Sequence, residues 1–263
     1  LVHLQYLFMT KSELKSLKQL HQKKYRDEQK SFLVEGKRSI VEAIRENCDI
    51  DLILICNELA EKEKELVRQI KEKSIRFEII SYNEIQRISD VENSQGIIAR
   101  VKFLNYDENL IFDKRNEKKR IIFLENISDP GNMGTIIRTA DWFGIDSVII
   151  CKDSVDIYNP KVVRSTMGSL FHIPIFVFDD AQKIIKRLKE NGYTIYVADL
   201  KGEKYNKVSY STKSVIVFGN EAHGITDTLK KYADKLITIQ GKGKAESLNV
   251  AVSVGIIISQ VCN

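Results

Sequence analysis

Residues 121–144 read IIFLENISDPGNMGTIIRTADWFG: an apolar run, a polar turn and then a helical repeat. Ile121, Ile122, Phe123 and Leu124 leave no polar side chain for water, so both faces of that strand must be covered, as in a parallel sheet flanked by helices. Asp129 suits a helix N-cap and Pro130 a first helical position, where an N–H has no partner in any case. Apolar strands return at 147–151, 175–178, 194–198, 215–218 and 235–239, with helical patterns between them. The expected fold class is therefore α/β with a parallel sheet. Ligands of such sheets bind beyond the carboxyl ends of the strands, and those loops are where function is sought.

Upstream the pattern is different. Residues 10–24 carry Leu14, Leu17 and Leu20 at helical spacing behind Ser12, an expected N-cap. Strand-like runs at 32–35, 52–56, 77–80 and 97–103, with helical stretches at 39–45 and 58–73, make a second, smaller α/β module. From Leu104 to Arg120 the chain turns polar and charged. The expected division is an N-terminal domain at 1–104, a linker at 105–120 and a second domain at 121–263. The apolar stretch 1–8, ahead of Met9, reads as an extension.

Composition narrows the field a little. The 263 residues carry 41 Lys and Arg against 36 Asp and Glu, and a net charge of +5 does not by itself identify a nucleic-acid binder. Lys11, Lys15, Lys18, Lys23, Lys24, Arg26, Lys30, Lys37 and Arg38 gather positive charge at one end, which fits phosphate attraction and a solvated helix face equally well. Cys48, Cys56, Cys151 and Cys262 form no CxxC pair and no zinc spacing, so no metal and a reducing cytoplasm are expected. No apolar run reaches the roughly 18 residues that cross a bilayer, so no membrane is expected.

Two further loops follow apolar strands. After residues 215–218 comes GNEAHGI, whose glycines imitate a P-loop, but Ile225 stands where its lysine is required. No GxGxxG occurs, which sets a nicotinamide-dependent dehydrogenase far down, and His223 reads as a surface histidine. After residues 235–239 comes QGKGKAESLN, in which Ser247 reads as the cap of the next helix. Asn249 opens an otherwise apolar helix, so its amide needs a ligand or a neighbouring loop as partner. In the first loop Arg138 stands one turn after Gly134, on a helix whose other face carries Ile136, Ile137, Ala140 and Phe143. It can point toward the strand ends and bind phosphate or carboxylate.

Together DPGNMGTIIRTADWFG, VFGNEAHGI and ITIQGKGKAESLNVAVSVG resemble, in order and spacing, the three motifs of the SpoU/TrmH group of SPOUT RNA methyltransferases. The likeness runs from about Ile121 to the C-terminus. KKYRDEQKSFLVEGKRSIVEAI is more loosely similar to the ribosomal-protein-like RNA-binding domain that precedes such catalytic domains. The resemblance implies an α/β domain whose C-terminal part threads a trefoil knot, and transfer of a methyl group from S-adenosylmethionine to a ribose 2′-hydroxyl. It implies donor contacts at Gly219, Ile239 and Leu248, with Ala198, Asp199 and Leu200 at the preceding strand end. It places Arg138, Asn132, Glu221, Ser247 and Asn249 in the reactive centre. It further implies a homodimer through the knotted domain, with Arg138 serving its own or the partner's donor site.

A ribose hydroxyl is a feeble nucleophile until its proton leaves or its developing charge is stabilised. A guanidinium with a pKa above about 12 is a poor proton acceptor. Arg138 is therefore expected to bind phosphate and stabilise the emerging alkoxide, while Asn132, Glu221, Ser247 and Asn249 orient hydroxyl and loops. The N-terminal module favours 23S ribosomal RNA as substrate. The alternatives are a transfer RNA 2′-O-methyltransferase and a non-catalytic RNA-binding or ribosome-assembly protein of the same fold.

Overall fold

The structure, a computed structural model, describes residues 9–112, 118–220 and 223–262. The expectations for residues 1–8, for part of the connector at 113–117 and for Glu221 lie outside the described residues. The chain forms two compact units: residues 1–104 with 158–171, and residues 105–157 with 172–263.

The first unit begins with α1 (Lys11–Gln19) and α2 (Lys23–Gln29), followed by β1 (Ser31–Glu35), α3 (Lys37–Arg45) and β2 (Ile50–Cys56). It continues through α4 (Asn57–Lys62), α5 (Lys64–Glu72), β3 (Phe77–Ile80), α6 (Tyr82–Ile88) and β4 (Ile97–Lys102). Its sheet has the order β1-β4-β2-β3, with β4 antiparallel to both neighbours and β2 parallel to β3. The N-terminal helix is capped by Thr10 rather than Ser12, because Thr10 and Glu13 form a reciprocal capping box. It also stops earlier than its leucine spacing predicts. The guanidinium of Arg26, almost fully buried, donates to the carbonyls of Leu20 and His21 and satisfies the break before α2. Helix α6, absent from the expected pattern, carries a second capping box between Ser81 and Glu84. The expected helix at 58–73 is interrupted at Glu63.

In the second unit α7 (Asn109–Phe112) precedes β5 (Lys119–Leu124), α8 (Pro130–Trp142) and β6 (Ser147–Cys151). Helix α9 (Pro160–Thr166) groups with the first unit, and the second resumes at β7 (Ile175–Phe178) and α10 (Ala181–Glu190). Then come β8 (Thr194–Lys204), β9 (Lys213–Phe218), α11 (Asp227–Lys230), β10 (Lys235–Thr238) and α12 (Val250–Val261). The sheet order is β10-β8-β9-β5-β6-β7 and every pair is parallel. Strand β6 is buried throughout and β9 everywhere but at Lys213, the double-sided burial that the apolar runs demanded. Helix α7 falls inside the stretch read as a linker. Ile111 is nonetheless fully buried beside Ile121 and Phe123, and its carbonyl accepts a 2.6 Å bond from the Tyr193 hydroxyl.

Strand β8 is longer than its apolar run. Lys235 and Leu236 of β10 pair with Tyr196 and Val197, whereas Ile237 and Thr238 pair with Glu203 and Lys204. Residues 198–202 therefore bulge out of the ladder between two registers. Where the chain returns, a Cβ on Gly202 would lie 2.4 Å from the Ile237 nitrogen, so only glycine lets the two backbones approach this closely. Gly202→Ala is expected to lower stability by about 1–3 kcal/mol in urea unfolding; unchanged stability would contradict this packing.

Candidate functional site

Because the strands are parallel, the segments leaving β10, β9 and β5, and the bulge in β8 between β10 and β9, lie along one edge of the sheet. All three motif loops and residues 198–202 thus share that edge. Folding the chain into this strand order makes neighbours of residues more than a hundred positions apart.

The first loop is built as its sequence predicts. Asp129 caps α8 by accepting from the Asn132 N–H at 2.7 Å, and Pro130 opens the helix. Met133, Gly134, Ile136, Ile137 and Ala140 are buried. At about 100° per residue, Thr135, Arg138 and Trp142 fall on one stripe, and all three are exposed, Trp142 at 84%. Asn132 stands about 120° round the helix from Arg138. Arg138 is engaged in no hydrogen bond or ion pair among the described residues.

The second loop folds on itself and onto the first. Asn220 and Gly224 exchange backbone hydrogen bonds at 3.0 and 2.9 Å, and the Asn220 carboxamide oxygen accepts from the His223 N–H. A Cβ on Gly219 would sit 2.4 Å from the Gly224 carbonyl, so that position needs glycine. The Asn220 amide donates to the Asn126 carbonyl at 2.9 Å. Glu125, 95% buried at the end of β5 (5% exposed), receives both the N–H and the hydroxyl of Thr226, at 2.8 and 2.7 Å. Burying a carboxylate demands such donors. Sequence reasoning missed Glu125, Asn126, Asn220 and Thr226; the one available signal was a carboxylate placed directly after a fully apolar strand.

The third loop, residues 240–249, is exposed along its length. Its helix cap is Asn249 rather than Ser247: α12 begins at Val250, and the Asn249 carboxamide oxygen accepts from the N–H groups of Ala251 and Val252. Both residue types cap well, and Asn249 takes the position because its amide has a further partner. That amide donates to the Asn132 carboxamide oxygen at 2.9 Å, supplying the partner that an amide at this helix start requires. From there α12 runs parallel to α8, with Gly255 facing Thr139.

Of the expected reactive residues, the structure brings Asn132 and Asn249 together. Ser247 is exposed and makes no hydrogen bond among the described residues, and Arg138 occupies a different face of α8 from Asn132. Glu221 lies outside the described residues. Of the expected donor contacts, Ile239 follows β10 and Gly219 follows β9, while Ala198, Asp199 and Leu200 lie in the β8 bulge. Leu200 and Leu248 present apolar side chains that are 75% and 48% exposed. Asp199 is engaged by protein groups: Lys230 approaches its carboxylate at 2.7 Å, and the Lys201 N–H donates to it at 2.9 Å. The Lys230 hydrogen bond holds this carboxyl below its ordinary value, and Asp199 in turn raises the Lys230 ammonium. Among the described residues no three His, Cys, Asp or Glu cluster as a metal site, and no helix is long and apolar enough to cross a membrane.

Known proteins resemble the chain in sequence and in fold. Residues 119–259 match the SpoU rRNA Methylase family, and residues 11–99 match the MRM3-like substrate binding domain. The chain is 30% identical to the 23S rRNA (guanosine(2553)-2′-O)-methyltransferase RlmP of Bacillus subtilis, over 94% of both chains. The crystal structure of an AdoMet-bound rRNA methyltransferase from Sinorhizobium meliloti superposes with a TM-score of 0.85 at 28% identity, covering 96% of this chain and 94% of that one. A putative RNA methyltransferase of the TrmH family from Porphyromonas gingivalis gives a TM-score of 0.82 at 25% identity, covering 96% and 97%.

The two functions of Asn249 can be separated. Asn249→Ala removes cap and donor together and should cost about 1 kcal/mol of stability. Asn249→Asp keeps an acceptor at the helix start, where negative charge is favoured, and should unfold near the wild-type urea midpoint. Equal destabilisation by both substitutions would show that the cap is not the stabilising element.

Proposed function

From the premise that the chain belongs to the SpoU rRNA methylase family, we propose that it transfers a methyl group from S-adenosylmethionine to a ribose 2′-hydroxyl of 23S ribosomal RNA. The observation that carries this reading is the convergence of three motif loops on one sheet edge, tied by the Asn249–Asn132 bond. The ribosomal substrate is supported by likeness along nearly the whole chain to RlmP and by the substrate-binding domain match at residues 11–99. The first unit then holds RNA and the second carries the chemistry, in the cytoplasm where ribosomal RNA is modified.

The edge suits the methyl donor. Among the described residues, residues 240–248 make no backbone hydrogen bonds, which leaves amides and carbonyls free to read a ligand. Leu200 and Leu248 offer apolar surface for a purine ring, and Gly219 lets backbone approach closely. When bound, S-adenosylmethionine supplies a methyl group activated on a sulfonium. Gly219, Ile239 and Leu248 would hold it, with Ala198, Asp199 and Leu200 closing one side. Asp199 contributes through the backbone it fixes, since its carboxylate is already engaged by Lys230. A trefoil knot in the C-terminal part of the second unit goes with this reading.

Asn132 and Asn249 would orient the ribose hydroxyl, with Glu221 and Ser247 arranging the flanking loops. Arg138 stays protonated, binds the phosphate beside the target and stabilises charge on the attacking oxygen. Its stripe also carries Trp142, and the adjoining α12 exposes Val252 at 50%, apolar surface of the kind that marks an interface. We place the homodimer contact on α8 and α12, with Arg138 reaching the donor site of the partner subunit.

Arg138→Lys, which keeps the charge but loses the planar fork, should bind S-adenosylmethionine normally in calorimetry yet lose about a hundredfold in turnover; near-normal turnover would contradict the role. Mixed dimers of Arg138→Ala with Gly219→Val should regain activity if the arginine acts across the dimer, whereas inactivity of the mixture would assign it to its own subunit. The substrate is tested by mapping 2′-O-methylation in total RNA from deletion and complemented strains. A lost methyl group in 23S ribosomal RNA is expected, and an unchanged map of that RNA would overturn the assignment.

A further inference from the structure

Residues 158–171 lie in sequence within the span matched to the methylase family, between β6 and β7, yet they are built into the first unit. Tyr158 is the anchor. It is 8% exposed, its ring stacks on Phe103 with centroids 4.2 Å apart and lies 4.4 Å from Phe32, and its hydroxyl bonds both the N–H and the carbonyl of Leu104, at 2.9 and 3.3 Å. The rest of the segment is fixed as firmly. Val162, Val163, Leu170 and Phe171 are buried, Arg164 pairs with Asp90 at 3.1 Å, and a Cβ on Gly168 would meet the Glu42 side chain at 2.8 Å.

The chain just before this anchor is fastened to the first motif loop. The Ile127 N–H donates to the Ser154 hydroxyl at 3.1 Å, and the Val155 N–H donates to the Ile127 carbonyl at 2.8 Å. Ile127 is fully buried, and its neighbour Asn126 accepts the Asn220 amide that ties in the second loop. Only Asp156 and Ile157 separate Val155 from Tyr158. One short stretch of chain is therefore clasped at one end to the loop that leads to Asn132 and Arg138, and at the other inside the unit matched as substrate-binding.

We propose that Tyr158 is a positioning residue for methyl transfer: by locking residues 158–171 into the RNA-holding unit, it sets the first motif loop through the Ser154–Ile127 clasp. A catalytic loop that must sit within fractions of an ångström of its substrate needs mechanical reference to whatever holds that substrate. A buried, stacked and doubly hydrogen-bonded tyrosine gives such a reference. The inference rests on the methyltransferase reading given above.

Tyr158→Phe keeps the stacked ring and removes both bonds to Leu104; Ser154→Ala opens the other end of the clasp. With full-length protein, a 23S ribosomal RNA fragment that wild-type protein methylates, and S-adenosylmethionine, each variant should bind RNA and donor within twofold of wild type. Single-turnover methyl transfer in the preformed complex should fall about tenfold or more. The double variant should be no slower than the worse single one, because two breaks in one mechanical series act once. A folded Tyr158→Phe variant with an unchanged single-turnover rate, multiplicative effects in the double variant, or parallel loss of RNA and donor binding would each overturn the proposal. Wild-type protein that methylates no RNA would instead overturn the function on which it rests.

Discussion

The structure depends on one constraint: six parallel strands in the order β10-β8-β9-β5-β6-β7 send the segments that leave their carboxyl ends out along a single edge. Parallel strands are buried on both faces, so the apolar runs that build the sheet cannot carry polar function. Polar residues are left to the loops. The order then decides which loops meet, and β10, β8, β9 and β5 are consecutive, so segments scattered over more than a hundred residues become neighbours. Two pairings between loops fix their relative positions. Glu125 gathers Thr226 at one end, and Asn249 reaches Asn132 at the other.

Much of this was legible in the sequence where one residue decides the matter locally. Asp129 and Pro130 announce the start of α8, and fully apolar runs announce β5, β6 and β9. The demand that Asn249 find a partner could also be read, since an amide at the head of an apolar helix has few alternatives. What could not be read depends on distant partners. Ser247 and Asn249 are both competent caps, and only the acceptor on Asn132 favours the second. The bulge at residues 198–202 exists because β10 pairs with β8 in two registers, a fact stored in neither strand alone. Nor does any periodicity reveal that residues 158–171 leave the second unit, since their apolar positions suit burial in either one.

The proposed reactive centre divides its labour by residue chemistry. The amides of Asn132 and Asn249 are hydrogen-bonded to each other, which suits the orienting role proposed for them. Arg138, on the exposed stripe of α8, brings a permanent positive charge that no described side chain neutralises. In the proposed reaction that charge stands ready where negative charge develops, an effective form of stabilisation because nothing must reorganise. The proposed donor side is built in the opposite way, from glycine, leucine and a backbone stretch at 240–248 that makes no backbone hydrogen bonds among the described residues, which suits a ligand recognised through its purine and its amino-acid end.

Hydrogen–deuterium exchange of the intact protein with and without S-adenosylmethionine tests the convergence of the loops most directly. Backbone readout predicts slowed exchange at residues 198–202, 219–225 and 239–249 together, with β6 and β7 at the far side of the sheet unaffected. Protection confined to one of these segments, or appearing beside β7 instead, would contradict the account.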